Sequence, residues 1–130
     1  MILPHLVVTL SEKGGKGGKG VFTTKAIPAN TIIEISPVLV MTPKEGKDIE
    51  LTKLYHYVFE WGNNRKSAAL GLGYISMYNH SYSANCEYEM DYDNNYITIK
   101  TVKPVKKGEE LYINYNAEAD NKTPVWFDAI

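Results

Sequence analysis

A mostly-β single domain is the fold class that this sequence predicts. Three observations predict it. Apolar and β-branched residues fall in short runs with a period near two, Gly, Pro, Asn and Asp punctuate those runs, and only one stretch keeps a helical period. The 130 residues suffice for one domain with one core, spanning 1–130.

Residues 6–10 (LVVTL) form a β-branched apolar strand that runs into the glycine-rich segment 14–20. Strand character resumes over 21–27, and Pro28-Ala29-Asn30 reads as a turn. Residues 31–35 and 38–41 are two further short strands, split by Ser36-Pro37. Residues 48–61 make the one main helix, with Leu51, Leu54, Tyr55, Val58 and Phe59 near a 3.6-residue period and Gly62-Asn63-Asn64 as its stop. Residues 86–92 alternate, with Glu87, Glu89 and Asp91 on one face and Tyr88, Met90 and Tyr92 on the other. Asp93-Asn94-Asn95 turns this strand into its partner, 96–102, and Lys106-Lys107-Gly108 turns into a last strand, 110–115.

Composition narrows the function classes. A formal net charge of −1 supplies no basic field for phosphates, so no direct contact with nucleic acid is expected. Cys86 is the only cysteine, which leaves no internal disulfide and no cysteine cluster for zinc. His5, His56 and His80 are scattered without ligand spacing, so no metal is expected. No apolar run reaches the length of a membrane span, and the first ten residues lack a basic leader and a cleavage site. The expected location is cytoplasmic, or nuclear if the source is eukaryotic or the chain acts on host chromatin.

The glycine segment contains two decoys. Residues 15–20 match GxGxxG, but VFTTKAIP follows, β-branched and closed by proline, so no helix N-terminus can receive a pyrophosphate. The phosphate-loop pattern also fails, because no hydroxyl follows Lys19. What remains is either a hairpin tip or a backbone that a ligand can approach closely.

Three segments together carry more: GKGVF at 18–22, YISMYNHSYSAN at 74–85 and EELYINY at 109–115. In order and spacing they resemble the signature motifs of SET-domain protein-lysine methyltransferases, closest to the compact stand-alone type of bacteria and algal viruses. The resemblance covers about residues 6–127. It implies a SET-type fold of small curved sheets with a C-terminal pseudoknot, a core over about 6–116, and a cofactor-covering segment over about 117–130. It also implies methyl transfer from S-adenosylmethionine to the side-chain amine of a protein lysine, in a basic or histone-like tail.

Carried over residue by residue, the resemblance assigns cofactor contacts to Gly18, Lys19, Gly20, Asn79, His80, Tyr115 and Trp126, the catalytic position to Tyr115, and the substrate channel to Tyr88 and Ile113. Because small viral relatives pair through their C-terminal segments, the apolar ending VWFDAI suggests a homodimer. Departures from the motifs are Ser76-Met77, Tyr82, Ala84, Ile35, Ile113 and Asn114, where the family often has Arg-Phe, Cys, Pro, Tyr, an aromatic and Asp. Ile35 and Ile113 predict a wide, dry channel that accepts an already methylated amine, with Tyr88 the restricting hydroxyl if it points inward. Glu87, Glu89, Asp91 and Asp93 predict an acidic ridge for a basic peptide. The alternative is a catalytically inactive SET-like module that binds protein.

Overall fold

The computed structural model describes residues 1–13 and 16–115; Trp126 and the remainder of 116–130 lie outside the described residues. Strand β1 (Leu6–Leu10) pairs antiparallel with β2 (Lys19–Thr23), with Leu6 opposite Thr23 and Leu10 opposite Lys19. β2 ends four residues before the predicted limit of 27. There the Thr23 hydroxyl donates to the Lys25 carbonyl (2.6 Å) and turns the chain.

β3 (Ile32–Met41) is a single ten-residue strand where the sequence predicts two. Pro37 marks a change of partner, not a break. Residues 32–37 pair with β8 (Tyr96–Thr101), and residues 38–41 pair with β5 (Ser67–Gly71). Proline has no N–H to donate, so a junction between two ladders suits it; its carbonyl still accepts from Leu72 N (3.0 Å).

The helix predicted over 48–61 does not form. The α-helix α1 is Pro43–Asp48, opened by a capping box in which Thr42 Oγ1 accepts from Glu45 N and Glu45 Oε1 accepts from Thr42 N. Lys53–Tyr57 makes a 3₁₀ turn, and Val58–Trp61 is strand β4, antiparallel to β5. The 3.6-residue pattern has nothing to bury against, since Leu51 is 100% exposed. Aromatic and β-branched residues at 57–61 favour a pleated surface, and period two sends Phe59 and Trp61 to the same side.

β6 (Asn79–His80), β7 (Cys86–Asp91) and β9 (Glu110–Ile113) complete the fold. One sheet has the order β1-β2-β9-β6, the other β4-β5-β3-β8-β7. The five-stranded sheet curls until side chains of its two edge strands meet. The Phe59 ring of β4 lies 5.6 Å from the Tyr88 ring of β7, and Trp61 meets Tyr92 edge-on at 4.9 Å. Between the sheets sits an apolar core in which Val21, Ile33, Ile97, Ile99, Leu111 and Ile113 are completely buried. Among the described residues no helix is long and apolar enough to cross a membrane, and no three His, Cys, Asp or Glu side chains converge as a metal site.

The acids of β7 do not form one uniform ridge. Asp91 builds the hairpin turn, its Oδ1 accepting from Asp93 N and Asn94 N (3.1 and 3.0 Å) and its Oδ2 from Asn94 Nδ2 (2.9 Å). Those bonds hold its carboxyl below the usual range. Glu87 stands opposite Lys100 across the ladder, and Glu89 opposite Thr98.

Candidate active site

Two short strands bring the three motifs together. β6 pairs in parallel with β9, Asn79 opposite Tyr112 and His80 opposite Ile113, and Ser81 N extends the ladder by donating to the Ile113 carbonyl (3.1 Å). On its other edge β9 pairs antiparallel with β2. Beyond β6 the Asn85 side chain completes the hold on β9: its Oδ1 accepts from Tyr112 N (2.8 Å) and its Nδ2 donates to the Glu110 carbonyl (2.9 Å). β9 is thus held between β2 and the 79–85 segment.

The glycine end of the site is polar and tightly packed. Asn79, 3% exposed, donates through Nδ2 to the Lys19 carbonyl (3.0 Å) and to Glu110 Oε2 (2.8 Å). Glu110 Oε1 accepts from Ser11 Oγ (2.6 Å) and from Tyr112 Oη (3.1 Å). The Tyr112 phenol is pushed up to about 12 by burial, with the Glu110 charge adding to it. A Cβ at Gly20 would collide with the Glu110 carboxylate and lie 2.8 Å from Asn79 Nδ2, so only glycine permits this approach. Gly18 sits in the left-handed region at φ 79°, which also favours glycine. The Lys19 side chain is exposed, leaving its backbone carbonyl as the contributing group.

At the other end, Tyr115 N donates to His80 Nδ1 (3.0 Å), which makes Nδ1 an acceptor and leaves the ring proton on Nε2. The His80 ring lies 5.0 Å from that of Tyr115 and 4.4 Å from that of Tyr82. The Tyr115 hydroxyl donates to the Tyr78 carbonyl (2.8 Å), and the Tyr88 hydroxyl donates to the Tyr115 carbonyl (3.1 Å). Burial, with Tyr88 adding a smaller effect, drives the Tyr115 phenol well above its ordinary value. Tyr115 is therefore a neutral donor, aimed by a backbone carbonyl. Ile113 is completely buried beneath it in sequence, within the core.

Gly18, Lys19, Gly20, Asn79, His80, Tyr88, Ile113 and Tyr115 thus lie on elements that share one neighbourhood. Two contributors escape sequence reasoning. Glu110 lies inside the quoted EELYINY segment, and its signal is an acid directly before a buried Leu111. Phe59 packs on Tyr88 from a strand that reads as helix, so no local pattern exposes it.

The neutral state of His80 has a consequence for stability. Burial, and next the Lys13 charge, hold its pKa below the ordinary value of about 6.5. Below about 6.5 the unfolded chain takes up a proton that the folded chain resists, so this stability is present above that pH and is lost as pH falls. The urea midpoint should drop between about pH 7.5 and about pH 5.5, and the drop should shrink in His80→Asn. Equal drops in both proteins contradict a neutral structural role for His80.

Comparison with known proteins bears on the family and the fold. The SET-domain family model matches residues 18–116. A histone-lysine N-methyltransferase of Schizosaccharomyces pombe, specific for H3 lysine-37, is 39% identical over 112 residues, covering 85% of this chain and 71% of that protein. A crystal structure of a Plasmodium falciparum protein assigned as a histone methyltransferase matches with TM-score 0.65 and 28% identity, over 88% of this chain and 95% of that one. A chain of a humanized Chaetomium thermophilum Polycomb Repressive Complex 2 shares the fold at TM-score 0.70 and 20% identity, over 88% of this chain and 15% of that one. SET methyltransferases in general use S-adenosylmethionine. With its mostly-β curled sheets and its three motifs gathered at one strand crossing, the chain belongs to the SET-domain family and is a protein-lysine methyltransferase.

Proposed function

We propose that this chain transfers the methyl group of S-adenosylmethionine to a lysine amine in a basic, histone-like protein segment, with Tyr115 as the orienting hydroxyl. The observation that carries the reading is the Tyr115 hydroxyl fixed on the Tyr78 carbonyl directly beside the Asn79-His80 pair. The acceptor groups suit an amino-acid end group: the Lys19 carbonyl and Glu110 carboxylate, each with further lone pairs, can accept from an ammonium. The bare backbone at Gly20 is consistent with close packing there. Bound S-adenosylmethionine supplies a methyl carbon already activated by its sulfonium. Asn79, His80 and the 18–20 backbone would hold it, and Trp126 is the residue proposed to cover it.

What remains for the protein is alignment and desolvation. A free lysine, with a pKa of roughly 10.4, is protonated at neutral pH and unreactive. The aromatic surroundings of Tyr115, Tyr88 and Phe59 disfavour an ammonium and lower that pKa. A neutral amine would take up the methyl group with the C–S electron pair returning to sulfur, and the extra proton on the methylated amine would leave to solvent. Tyr115, kept neutral by burial, orients the amine and does not accept its proton.

The substrate class is supported by the S. pombe relative, which acts on a histone lysine, and by the exposed Glu89 and Asp93 on and beside the edge strand β7. Such a substrate would place the chain in the nucleus of a eukaryotic cell or on host chromatin, and pairing as a homodimer through the C-terminal segment remains part of the proposal.

Tyr115→Phe should keep cofactor affinity and lower turnover by on the order of 10²-fold. Calorimetric titration and a labelled-methyl assay measure the two; wild-type turnover contradicts the assignment. Because the phenol never ionises in the working range, both proteins should gain rate with pH toward the lysine pKa along curves of the same shape.

The product state is a separate expectation. Ile35 and Ile113 offer no hydroxyl, but Tyr88 points inward, its hydroxyl on the Tyr115 carbonyl and its ring on Phe59. On this reading Tyr88 is the restricting residue. Mass spectrometry under excess enzyme should show wild type stopping at monomethyl-lysine and Tyr88→Phe going further. Identical product states in the two proteins remove Tyr88 from the channel.

A further inference from the structure

Glu34 is a carboxylate with 0% exposure near the start of β3, a place where an unpaired charge is not tolerated. Three donors satisfy it. Its Oε1 accepts from Tyr78 Oη (2.8 Å), and its Oε2 accepts from Ser36 Oγ (2.8 Å) and from Tyr74 N (2.8 Å). The surrounding chain is shaped for this carboxylate. Gly73 takes φ 62°, and a Cβ there would lie 2.6 Å from Glu34 Oε2 and 2.5 Å from Ser36 Oγ. Tyr78 is itself completely buried, so its hydroxyl depends on an interior partner.

The position of Tyr78 matters at its other end. Its carbonyl receives the Tyr115 hydroxyl (2.8 Å), and the next two residues, Asn79 and His80, form β6. A path of hydrogen bonds therefore runs from the Glu34 carboxylate to the Tyr78 hydroxyl, through a rigid buried residue, to the Tyr78 carbonyl and the Tyr115 hydroxyl. We infer that Glu34 is a positioning residue for methyl transfer: by anchoring the Tyr78 side chain in the core it sets the carbonyl that aims the Tyr115 hydroxyl. The inference rests on the proposed role of Tyr115. It goes beyond that role by assigning the aim of the hydroxyl to an acid on a different sheet, which touches no reactant.

A carboxylate is needed here because the three donors converge on two oxygens, which a single hydroxyl cannot serve. Glutamine is the one close substitute. Its oxygen can accept from Tyr74 N and Ser36 Oγ while its amide donates to Tyr78 Oη, with the phenol proton turned away. Alanine leaves all three donors without an acceptor, and Tyr78→Phe removes only the link to the site while keeping the ring volume.

Single-turnover rate constants at saturating S-adenosylmethionine and lysine peptide test the inference. Tyr78→Phe and Glu34→Ala should each lower the rate constant by on the order of ten-fold, with cofactor affinity within about two-fold of wild type. Glu34→Gln should recover most of the loss. In a Tyr115→Phe background the same changes should cause no further fall, because the hydroxyl they aim is gone. Thr101→Val, which removes a buried hydroxyl bonded to the Pro28 carbonyl and outside the hydrogen-bond path from Glu34 to Tyr115, should lower the melting temperature without slowing transfer. If Glu34→Ala does not fold, Tyr78→Phe alone decides.

Equal losses in the wild-type and Tyr115→Phe backgrounds, or a wild-type rate in Tyr78→Phe, overturn the inference. A wild-type chain that methylates no lysine peptide defeats the functional reading instead. A crystal structure of Tyr78→Phe then decides the positioning claim: a Tyr115 hydroxyl still 2.8 Å from the residue-78 carbonyl overturns it, and a separated pair supports it.

Discussion

The parallel pairing of Asn79-His80 with Tyr112-Ile113 is the contact on which the rest of the site depends. Two residues of parallel strand are too few to stand alone. They persist because β9 is already fixed to β2 on its far edge, and because Asn85 supplies β9 with an acceptor for Tyr112 N and a donor for the Glu110 carbonyl. A side-chain amide here does the work of another strand residue. Asn79, His80, Glu110 and Tyr115 come within reach of one another as a direct result. So does the link from the glycine segment, since Asn79 bonds the Lys19 carbonyl only in this register.

The second sheet supports that crossing from outside. Its curl brings edge strand β4 against edge strand β7, and aromatic contacts close the seam where backbone hydrogen bonds do not. Tyr88 takes part in this seam and in the site at once, with its ring on Phe59 and its hydroxyl on the Tyr115 carbonyl. Packing across the sheet edges and the placement of the Tyr115 carbonyl are thus coupled through one residue. Buried polar groups extend the coupling inward. Glu34 and Glu110 each sit with at most 8% exposure, and each gathers at least three donors. Such networks are costly when broken, so they define a single arrangement.

Much of this was legible in the residues, for identifiable reasons. β1, β7 and β8 obey period two, and their turns carry Asp, Asn and Gly where positive φ or side-chain acceptance is needed, as at Asn95 (φ 57°) and Gly108 (φ 85°). The motif positions were legible because the spacing of 18–22, 74–85 and 109–115 is carried by the chain itself. Three features were not. Residues 48–61 have apolar residues at helical spacing, but the end of the stretch is set by pairing with β5, which lies outside that segment. Pro37 suggests a break when read locally; its meaning as a junction needs two partner strands, β5 and β8. Glu34 and Glu110 look like solvent-facing acids in a strand, and only the tertiary structure reveals that each takes a donor from 40 or more residues away along the chain, Tyr74 for Glu34 and Ser11 for Glu110.

If the crossing at β6 and β9 assembles the site, then removing the side chain that holds it should disable binding and chemistry together. Asn85→Ala leaves Tyr112 N and the Glu110 carbonyl without their partner while touching none of the groups proposed to contact cofactor or lysine. Measured by calorimetric titration with S-adenosylmethionine and by labelled-methyl transfer to a lysine peptide, it should lose on the order of ten-fold in affinity and at least as much in turnover. A folded Asn85→Ala protein with wild-type affinity and turnover would contradict the account.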